Sequence, residues 1–396
     1  MFVIIFQAVL YLGFPALAIY LADRYRAFEW FSPVLLCYLV GMLVANLSGL
    51  SVDEGTARTA TDASIPLAIP LLLFSSDFIA WLRHGKSAVL SFFVAVFAVT
   101  ISSAAGALIF AAHTDEFWKV AGMLVGVYTG GTPNMLSIGM ALEVKDETFV
   151  LMNAADVVMG GVYLLFLLSV AKPILSKFTP AFEPAEGEEE PGEQDDQAPL
   201  GERARGMIVG FFISAAVLAF SAGISTLFGG EPAAGMAMLA EGDMMGGLAL
   251  AFSGDLDVAV VILGITTGGI AFSFVSSVHE MAGTYELGNY FILVFCVAMG
   301  TLTDFDALFA SGGVYMAYVA VVMLGAIVLH YVIGALLKID CDTLIITSVA
   351  AVYGPPFVAP IAEAIDNRYV ILSGLTTGLV GYALGNYLGL AFAHLI

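Results

Sequence analysis

The stretch VYTGGTPN at residues 127–134 places two adjacent glycines and a proline inside a segment that is otherwise apolar enough to cross a bilayer. A second stretch, VYGPPFVAP at 352–360, does the same 225 positions later. Unwound backbone leaves N–H and C=O groups that hydrocarbon does not tolerate unless protein or a water-filled cavity covers them. Paired breaks at matching places in two halves of a chain are typical of the binding site of a secondary transporter.

The composition around these breaks indicates a membrane protein with many spans. Of the 396 residues, 60% are hydrophobic and 12% are charged, and the mean hydropathy is +0.95. The net charge of -21 and the presence of only 13 Lys and Arg argue against a nucleic-acid partner. The apolar N-terminus has no preceding basic residue, so we expect a retained first span. The lipid bilayer is therefore the first expected partner.

Hydropathy and loop composition predict twelve spans in two halves. The first half, 1–171, contains spans near 3–22, 32–49, 63–81, 86–111, 117–143 (broken) and 147–171. The second half, 206–396, contains spans near 206–228, 257–276, 287–303, 313–337, 342–364 (broken) and 369–393. Residues 172–205 between them include the run EPAEGEEEP at 183–191, whose composition predicts an acidic disordered linker.

The two halves contain an internal repeat, because LLFSSDF at 72–78 aligns with MGTLTDF at 299–305 at nearly the offset that superposes the breaks. An inverted repeat requires equivalent helices to be an odd number of spans apart, but the two broken spans, the fifth and the eleventh, are six apart. An additional crossing at 232–252 would give thirteen spans, whereas twelve spans would give a parallel repeat. We favour an all-α membrane protein of 12–13 transmembrane helices, with two inverted structural repeats, crossed discontinuous helices, and core and panel bundles.

Each break contains the residues that start a half-helix inside the membrane. Gly130 and Gly131 permit unusual backbone angles, Thr132 suits an N-cap, and Pro133 suits the first helical position. The N–H groups and positive dipole end of such a half-helix stabilise a carboxylate. The alternative is a pair of structural kinks. The predicted substrate-binding residues are Tyr128, Thr129, Gly130, Gly131, Thr132 and Asn134 at the first break, and Tyr353, Gly354, Pro355 and Glu363 at the second.

The helix after the first break carries the predicted coupling-ion site. Asn153 and Asp156 lie one turn apart in an apolar span, on one face. A carboxylate at that depth costs about 2.5 to 3.5 kcal/mol, so it requires a partner or a role. The predicted role is to bind Na+ or to exchange H+, and the alternative is a structural hydrogen bond. A satisfied buried side chain is the favoured interpretation of His330.

Other kinds of chemistry have little support in the sequence. The three cysteines have no metal-type or redox spacing, so no metal site is predicted. No Ser–His or paired-Asp arrangement is evident, so we do not expect an enzyme. No cofactor is expected beyond the coupling ion.

Residues 63–170 and 283–395 resemble an uncharacterised bacterial membrane family, the domain-of-unknown-function family numbered 819. The motifs that carry the resemblance are PLAIPLLLF at 66–74, WKVAGM at 118–123, the glycine pair 130–131 with Asn134, Ala155-Asp156, and YELGNY at 285–290. More distantly, the pattern looks like the cation:proton antiporter and anion transporter superfamily. That resemblance implies that Asp156 is the coupling-ion residue with Asn153 as its neighbour, and it suggests a homodimer formed through the panel.

The sequence departs from the proton antiporters because Asn153 and Asp156 are not adjacent and no predicted span contains a Lys or Arg that could neutralise the crossing. This favours the branch of the superfamily that transports organic solutes. The prediction is a secondary active transporter of a small organic anion, such as an amino acid, peptide fragment or keto acid, coupled to Na+ or H+ by alternating access. The alternative is a monovalent cation:proton antiporter. The expected location is the prokaryotic cytoplasmic (inner) membrane, with multiple spans.

Overall fold

A computed structural model of the chain describes residues 2–24, 33–47, 52–76, 86–183, 198–228, 258–302 and 305–396. Within these ranges the chain is helical and forms no β-strand. The α-helices are α1 Phe2–Arg24, α2 Pro33–Leu47, α3 Glu54–Leu73, α4 Lys86–Phe110, α5 Phe117–Gly130, α6 Thr132–Ala141, α7 Asp146–Phe166, α8 Lys172–Leu175, α9 Leu200–Phe228, α10 Val258–Ser273, α11 Ser276–His279, α12 Thr284–Thr301, α13 Phe305–Leu336, α14 Cys341–Tyr353, α15 Val358–Ala364 and α16 Ile371–Leu395. A π-helical turn, Leu167–Ala171, joins α7 to α8.

The described helices confirm a multi-pass membrane protein. The helical stretches long and apolar enough to cross a bilayer, among the residues described, are Val3–Ala22, Lys86–Phe110, Asp146–Leu175, Leu200–Ser225 and Gly312–Leu336. Shorter apolar helices occur at Leu36–Asn46, Val258–Ser273 and Cys341–Tyr353. Each of the twelve predicted spans contains a helix. The additional crossing predicted at 232–252 lies outside the described residues.

Helices extend past two of the predicted boundaries. The third span was expected to begin near residue 63, but α3 begins at Glu54 because Asp53 caps it, accepting a hydrogen bond from the Thr56 backbone N–H at 2.8 Å. The predicted disordered linker, 172–205, is helical at both ends, in α8 and in the first residues of α9. Hydropathy missed the start of α3 because most of residues 54–62 are polar.

The chain folds into two compact units. The first takes its described residues from Met1–Ser75, Gly139–Val157 and Leu200–Tyr315, and the second from Ser76–Ile138, Val158–Pro199 and Met316–Ile396. Each unit therefore draws on both sequence halves, 1–171 and 206–396. The repeat that relates those halves stays a prediction.

In the first unit α12 packs against α1, α2 and α3, while α10 packs against α3 and α9. Gly41 of α2 and Gly300 of α12 lie against each other, and a Cβ placed on Gly300 would lie 3.1 Å from the Gly41 Cα. In the second unit α16 packs against α5 and α14, and α4 packs against α5 and α14. Small residues permit such close packing of helices in lipid, where dispersion and hydrogen bonds drive association.

Candidate functional site

The first break lies at Gly131, between α5 and α6. Gly131 has φ +98° and ψ -173°, a region of backbone space that is essentially restricted to glycine. Its N–H donates to the Val127 carbonyl at 2.6 Å and closes α5, while the Asn134 N–H donates to the Gly131 carbonyl at 3.1 Å. The chain thus ends one helix and starts the next within a single residue, as the glycine pair predicted.

The second break lies at Gly354 and repeats this geometry. Gly354 has φ +79° and ψ -173°, and its N–H donates to the Ala350 carbonyl at 3.1 Å, closing α14. The residues that follow form a turn of 3-10 helix, Pro355–Phe357, before α15 begins at Val358. The same glycine-only conformation therefore interrupts both helices.

The two breaks are in contact within the second unit. A Cβ placed on Gly131 would lie 3.3 Å from the Tyr353 carbonyl carbon and 3.4 Å from the Gly354 nitrogen. A Cβ placed on Gly354 would lie 3.3 Å from the Gly130 carbonyl oxygen. We call this contact, formed by residues 130–131 and 353–354, the crossing.

One detail of the predicted breaks was wrong. Thr132 was expected to cap α6, but α6 already includes Thr132, and Gly131 occupies the position before it. At the second break, Pro355 and Pro356 lack N–H groups and lead into the 3-10 turn before α15 begins. The second break therefore offers fewer backbone donors than a regular half-helix start would.

Helix α16 packs against the crossing, a contact that the sequence analysis did not predict. Asn134 donates through Nδ2 to the Gly381 carbonyl at 2.9 Å, so this predicted substrate-binding side chain holds α6 against α16. A Cβ on Gly381 would collide with the Thr129 carbonyl oxygen, and a Cβ on Gly378 would lie 2.8 Å from the Pro355 Cδ. The available signal was the spacing of Gly374, Gly378, Gly381, Gly385 and Gly389, which lines one face of a helix.

The predicted residues at the crossing differ in accessibility. Tyr128, Thr129, Gly130, Gly131, Gly354 and Pro355 are buried. The Thr129 hydroxyl bonds back to the Val125 carbonyl at 2.7 Å. Thr132 and Tyr353 are partly exposed. Tyr353 donates to the Gly160 carbonyl at 2.6 Å, stacks on Tyr163 and makes a tilted ring contact with Phe357.

Glu363 lies on α15, and its side chain is outside the described part of the molecule.

The predicted ion-site residues, Asn153 and Asp156, lie on α7 in the first unit, so they are not in the unit that contains the crossing. Asn153 is 2% exposed and donates through Nδ2 to the Tyr38 hydroxyl at 3.1 Å. Its Oδ1 is buried without a hydrogen-bond partner among the described residues, whereas Asp156 is half-buried. A buried acceptor oxygen that lacks a donor is suited to a cation or a proton donor.

A buried polar network occupies the interior of the second unit. The Ser91 hydroxyl lies 3.0 Å from His330 Nε2 and also contacts the Thr347 hydroxyl. The next residue on α14, Ser348, lies 2.6 Å from the Tyr163 hydroxyl. His330 thus has a hydrogen-bonding partner, which agrees with the favoured interpretation.

The sequence had shown no Ser–His arrangement, because Ser91 and His330 lie 239 positions apart. Ser91 is fully buried and His330 is 2% exposed. A cavity of about 10 Å³, whose lining includes His330, Tyr128 and Ser348, is about the size of one water molecule.

A second missed cluster joins the start of α14 to α8. The Lys172 ammonium lies 3.1 Å from the Asp342 carboxylate and also contacts the Ile365 carbonyl. Asn367 donates to Asp342 Oδ2 at 2.8 Å, and Asp342 is 5% exposed. Lys172 had been assigned to the linker. Among the described residues, no group of three or more His, Cys, Asp or Glu side chains could hold a metal ion.

Comparison with known proteins supports the membrane assignment. A family model described as protein of unknown function (DUF819) matches residues 10–396. The chain is 24% identical over 374 residues to a Bacillus subtilis (strain 168) protein described as uncharacterized membrane protein YjcL. That alignment covers 94% of this chain and 92% of the relative. The similarity thus includes both broken helices and α7.

Proposed function

We propose, from the premise that the chain belongs to the DUF819 family, that it is a secondary active transporter of a small organic anion coupled to Na+ or H+. The observation that carries this proposal is the contact between the two helix breaks, each made by a glycine with positive φ. Breaks of this kind within membrane helices are typical of the sites where transporters bind substrate. Transport by alternating access, in a prokaryotic cytoplasmic membrane, is part of the proposal.

The chemistry of the crossing favours a ligand held by backbone and hydroxyl groups. The stretches 127–134 and 352–360 contain no charged residue. In these two stretches the partly exposed side chains with hydroxyl groups are Thr132 and Tyr353. Helix α6, ten residues long, begins at Thr132, and its positive dipole end favours an anionic group such as a carboxylate. An amino acid, a peptide fragment or a keto acid has this group at a suitable size.

The proposed coupling-ion site is on α7 in the first unit. The buried Asn153 Oδ1 provides a neutral oxygen and Asp156 provides a carboxylate one turn away. Oxygen ligands of this kind suit Na+, and the carboxylate alone suits H+. A homodimer formed through the predicted panel, and the absence of an enzymatic activity, remain parts of the proposal.

The test is a thermal-shift screen of the purified protein against carboxylate metabolites, each paired with its uncharged amide. Each pair is measured in Na+ and in choline, and at two pH values. A ligand that binds only the folded state raises the melting temperature. We expect one class of carboxylate to stabilise the protein, more strongly with Na+ or at the lower pH, while its amide does not.

A uniform lack of response to carboxylates would overturn the proposal. The rival function, a monovalent cation:proton antiporter, predicts a different result in sealed vesicles. Addition of Na+ or K+ without any organic solute would then move protons, and Asp156→Asn would abolish that movement.

A further inference from the structure

The first unit contains a cavity of about 720 Å³ between helices α1, α3, α9 and α12. This volume is within the range of roughly 300 to 1,000 Å³ that is common for small-molecule sites. The residues that line it are Ala8, Tyr11, Leu12, Asp53, Gly55, Thr56, Thr59, Ala60, Asp62, Ala63, Ser64, Leu67, Phe211, Ala215, Phe291 and Val294.

The lining of this cavity is amphipathic. Phe211, Ala215, Phe291 and Val294 form an apolar wall from α9 and α12. The first turns of α3 provide hydroxyl groups and the carboxyl groups of Asp53 and Asp62. The described lining residues include no Lys, Arg or His, so the only formal charges at the wall are negative.

The carboxylate of Asp53 is held in its ionised form by the start of α3. The Thr56 hydroxyl and backbone N–H donate to Asp53 Oδ2 at 2.7 and 2.8 Å, and these hydrogen bonds keep the pKa of Asp53 below its ordinary value. Asp53 therefore carries a negative charge at neutral pH. Because it also caps α3, its substitution would disturb the helix itself.

Asp62 is a better indicator of a ligand because no helix cap uses it. It is half-buried, and its Oδ1 lies 3.4 Å from the Thr61 hydroxyl. Arg58, one turn earlier, attracts Asp62 through space, but its ion pairs are with Glu54 at 3.5 Å and with Asp146 at 3.1 Å. None of the ion pairs in the described part of the chain includes Asp62. A carboxylate that is partly removed from water loses stabilisation unless a cation compensates it.

We propose that this cavity binds an organic ammonium ion with a single apolar chain. The ammonium group would lie at the Asp62 end, and the chain would pack along the apolar wall that contains Phe211 and Phe291, whose rings stack on each other with centroids 6.1 Å apart. A zwitterionic lipid headgroup suits the cavity less well because its phosphate would bring a further negative charge to the wall that already contains Asp53 and Asp62. The cavity lies entirely in the first unit, so this proposal is independent of the function assigned to the crossing.

The test uses the full-length protein in phosphatidylcholine nanodiscs with n-octylammonium as the probe, and with n-octanol and octanoate as uncharged and anionic controls. Binding is measured by the shift in melting temperature and by calorimetry. We expect octylammonium to bind and both controls to bind at least tenfold more weakly. Asp62→Asn is expected to weaken octylammonium binding about tenfold, and Ala215→Trp to remove it by filling the apolar end.

Glu54→Gln is the matched control, because Glu54 is a carboxylate on the same helix that does not line the cavity. Its affinity for octylammonium is expected to stay within twofold of the unmodified protein. Equal binding of octanol and octylammonium, or unchanged binding by Asp62→Asn, would overturn the proposal.

Two further outcomes would replace the proposed occupant. Loss of octylammonium binding in nanodiscs that contain phosphatidylethanolamine would identify a lipid as the ligand. A change in oligomeric mass on Ala215→Trp, without octylammonium binding to the unmodified protein, would assign the cavity to a second copy of the chain.

Discussion

Gly131 and Gly354 have nearly the same backbone conformation, with φ of +98° and +79° and ψ of -173° at both, and they lie against each other. Each N–H closes the preceding helix by donating to the carbonyl four residues earlier. The two glycines are 223 positions apart in the chain. We assign a binding role to the crossing because two glycines with the same backbone conformation are in contact there.

Alanine at either glycine is expected to destabilise the protein by about 1 to 3 kcal/mol, because an L side chain is strained in this region of backbone space. The same substitution should reduce ligand binding at the crossing. The measurement is the melting temperature of Gly131→Ala and Gly354→Ala with and without a stabilising solute. Gly161→Ala is the matched control, because a Cβ there meets nothing within 4 Å. Wild-type stability of both variants would contradict the strained geometry.

Asn134 is expected to stabilise the second unit through its hydrogen bond to the Gly381 carbonyl. Asn134→Ala should cost about 1 to 3 kcal/mol because it leaves a buried carbonyl without a donor. Asn134→Asp should cost more, since a carboxylate would then face the carbonyl oxygens of Gly381 and Gly126. Chemical denaturation gives the free energy of unfolding of each variant. An aspartate variant that is more stable than the alanine variant would refute this role of Asn134.

Lys172 is expected to compensate the buried charge of Asp342. Lys172→Met should reduce the free energy of unfolding by about 1 to 3 kcal/mol because Asp342 loses its counter-ion. The double variant Lys172→Met with Asp342→Asn should recover part of this loss, since no unpaired charge remains. Lys177→Met, at an exposed position, is the control. Equal stability of all three variants would show that the ion pair makes no measurable contribution to the free energy of unfolding.

Asn153 and Asp156 are expected to determine the response to the coupling ion. If Na+ is the ion, Asn153→Ala and Asp156→Asn should each remove the stabilisation by Na+, because each loses an oxygen ligand. If H+ is the ion, Asp156→Asn alone should remove the pH dependence of solute binding. Glu147→Gln, in the first turn of the same helix, should respond as the unmodified protein does. A full Na+ and pH response in Asp156→Asn would exclude the proposed site.

The features that could be predicted from the sequence are those encoded by adjacent residues. The break at Gly131 was predicted from a local glycine pair. The spans were predicted from hydropathy and loop composition. The sequence alignment paired Tyr128 with Tyr353, but α14 ends at Tyr353 whereas α5 continues to Gly130. The equivalent glycines are therefore offset by two positions from the best sequence match.

Contacts between distant residues could not be predicted in this way. The hydrogen bond from Asn134 to Gly381 joins residues 247 positions apart, and the ion pair of Lys172 with Asp342 joins residues 170 positions apart. Neither follows from local spacing, because helix packing alone brings these groups together. The predicted role of Asn134 in substrate binding stays a prediction, and the structure adds a contact between two helices that its sequence position did not indicate.

Uptake by proteoliposomes is the most direct test of the central claim. The vesicles contain the purified protein, and the labelled solute is the carboxylate that stabilises it most in the thermal-shift screen. An imposed Na+ or proton gradient should drive accumulation above the external concentration, and an ionophore that collapses the gradient should stop it. Gly354→Ala should accumulate little. Proton movement on addition of Na+ or K+ alone, with no solute accumulation under any gradient, would contradict the account.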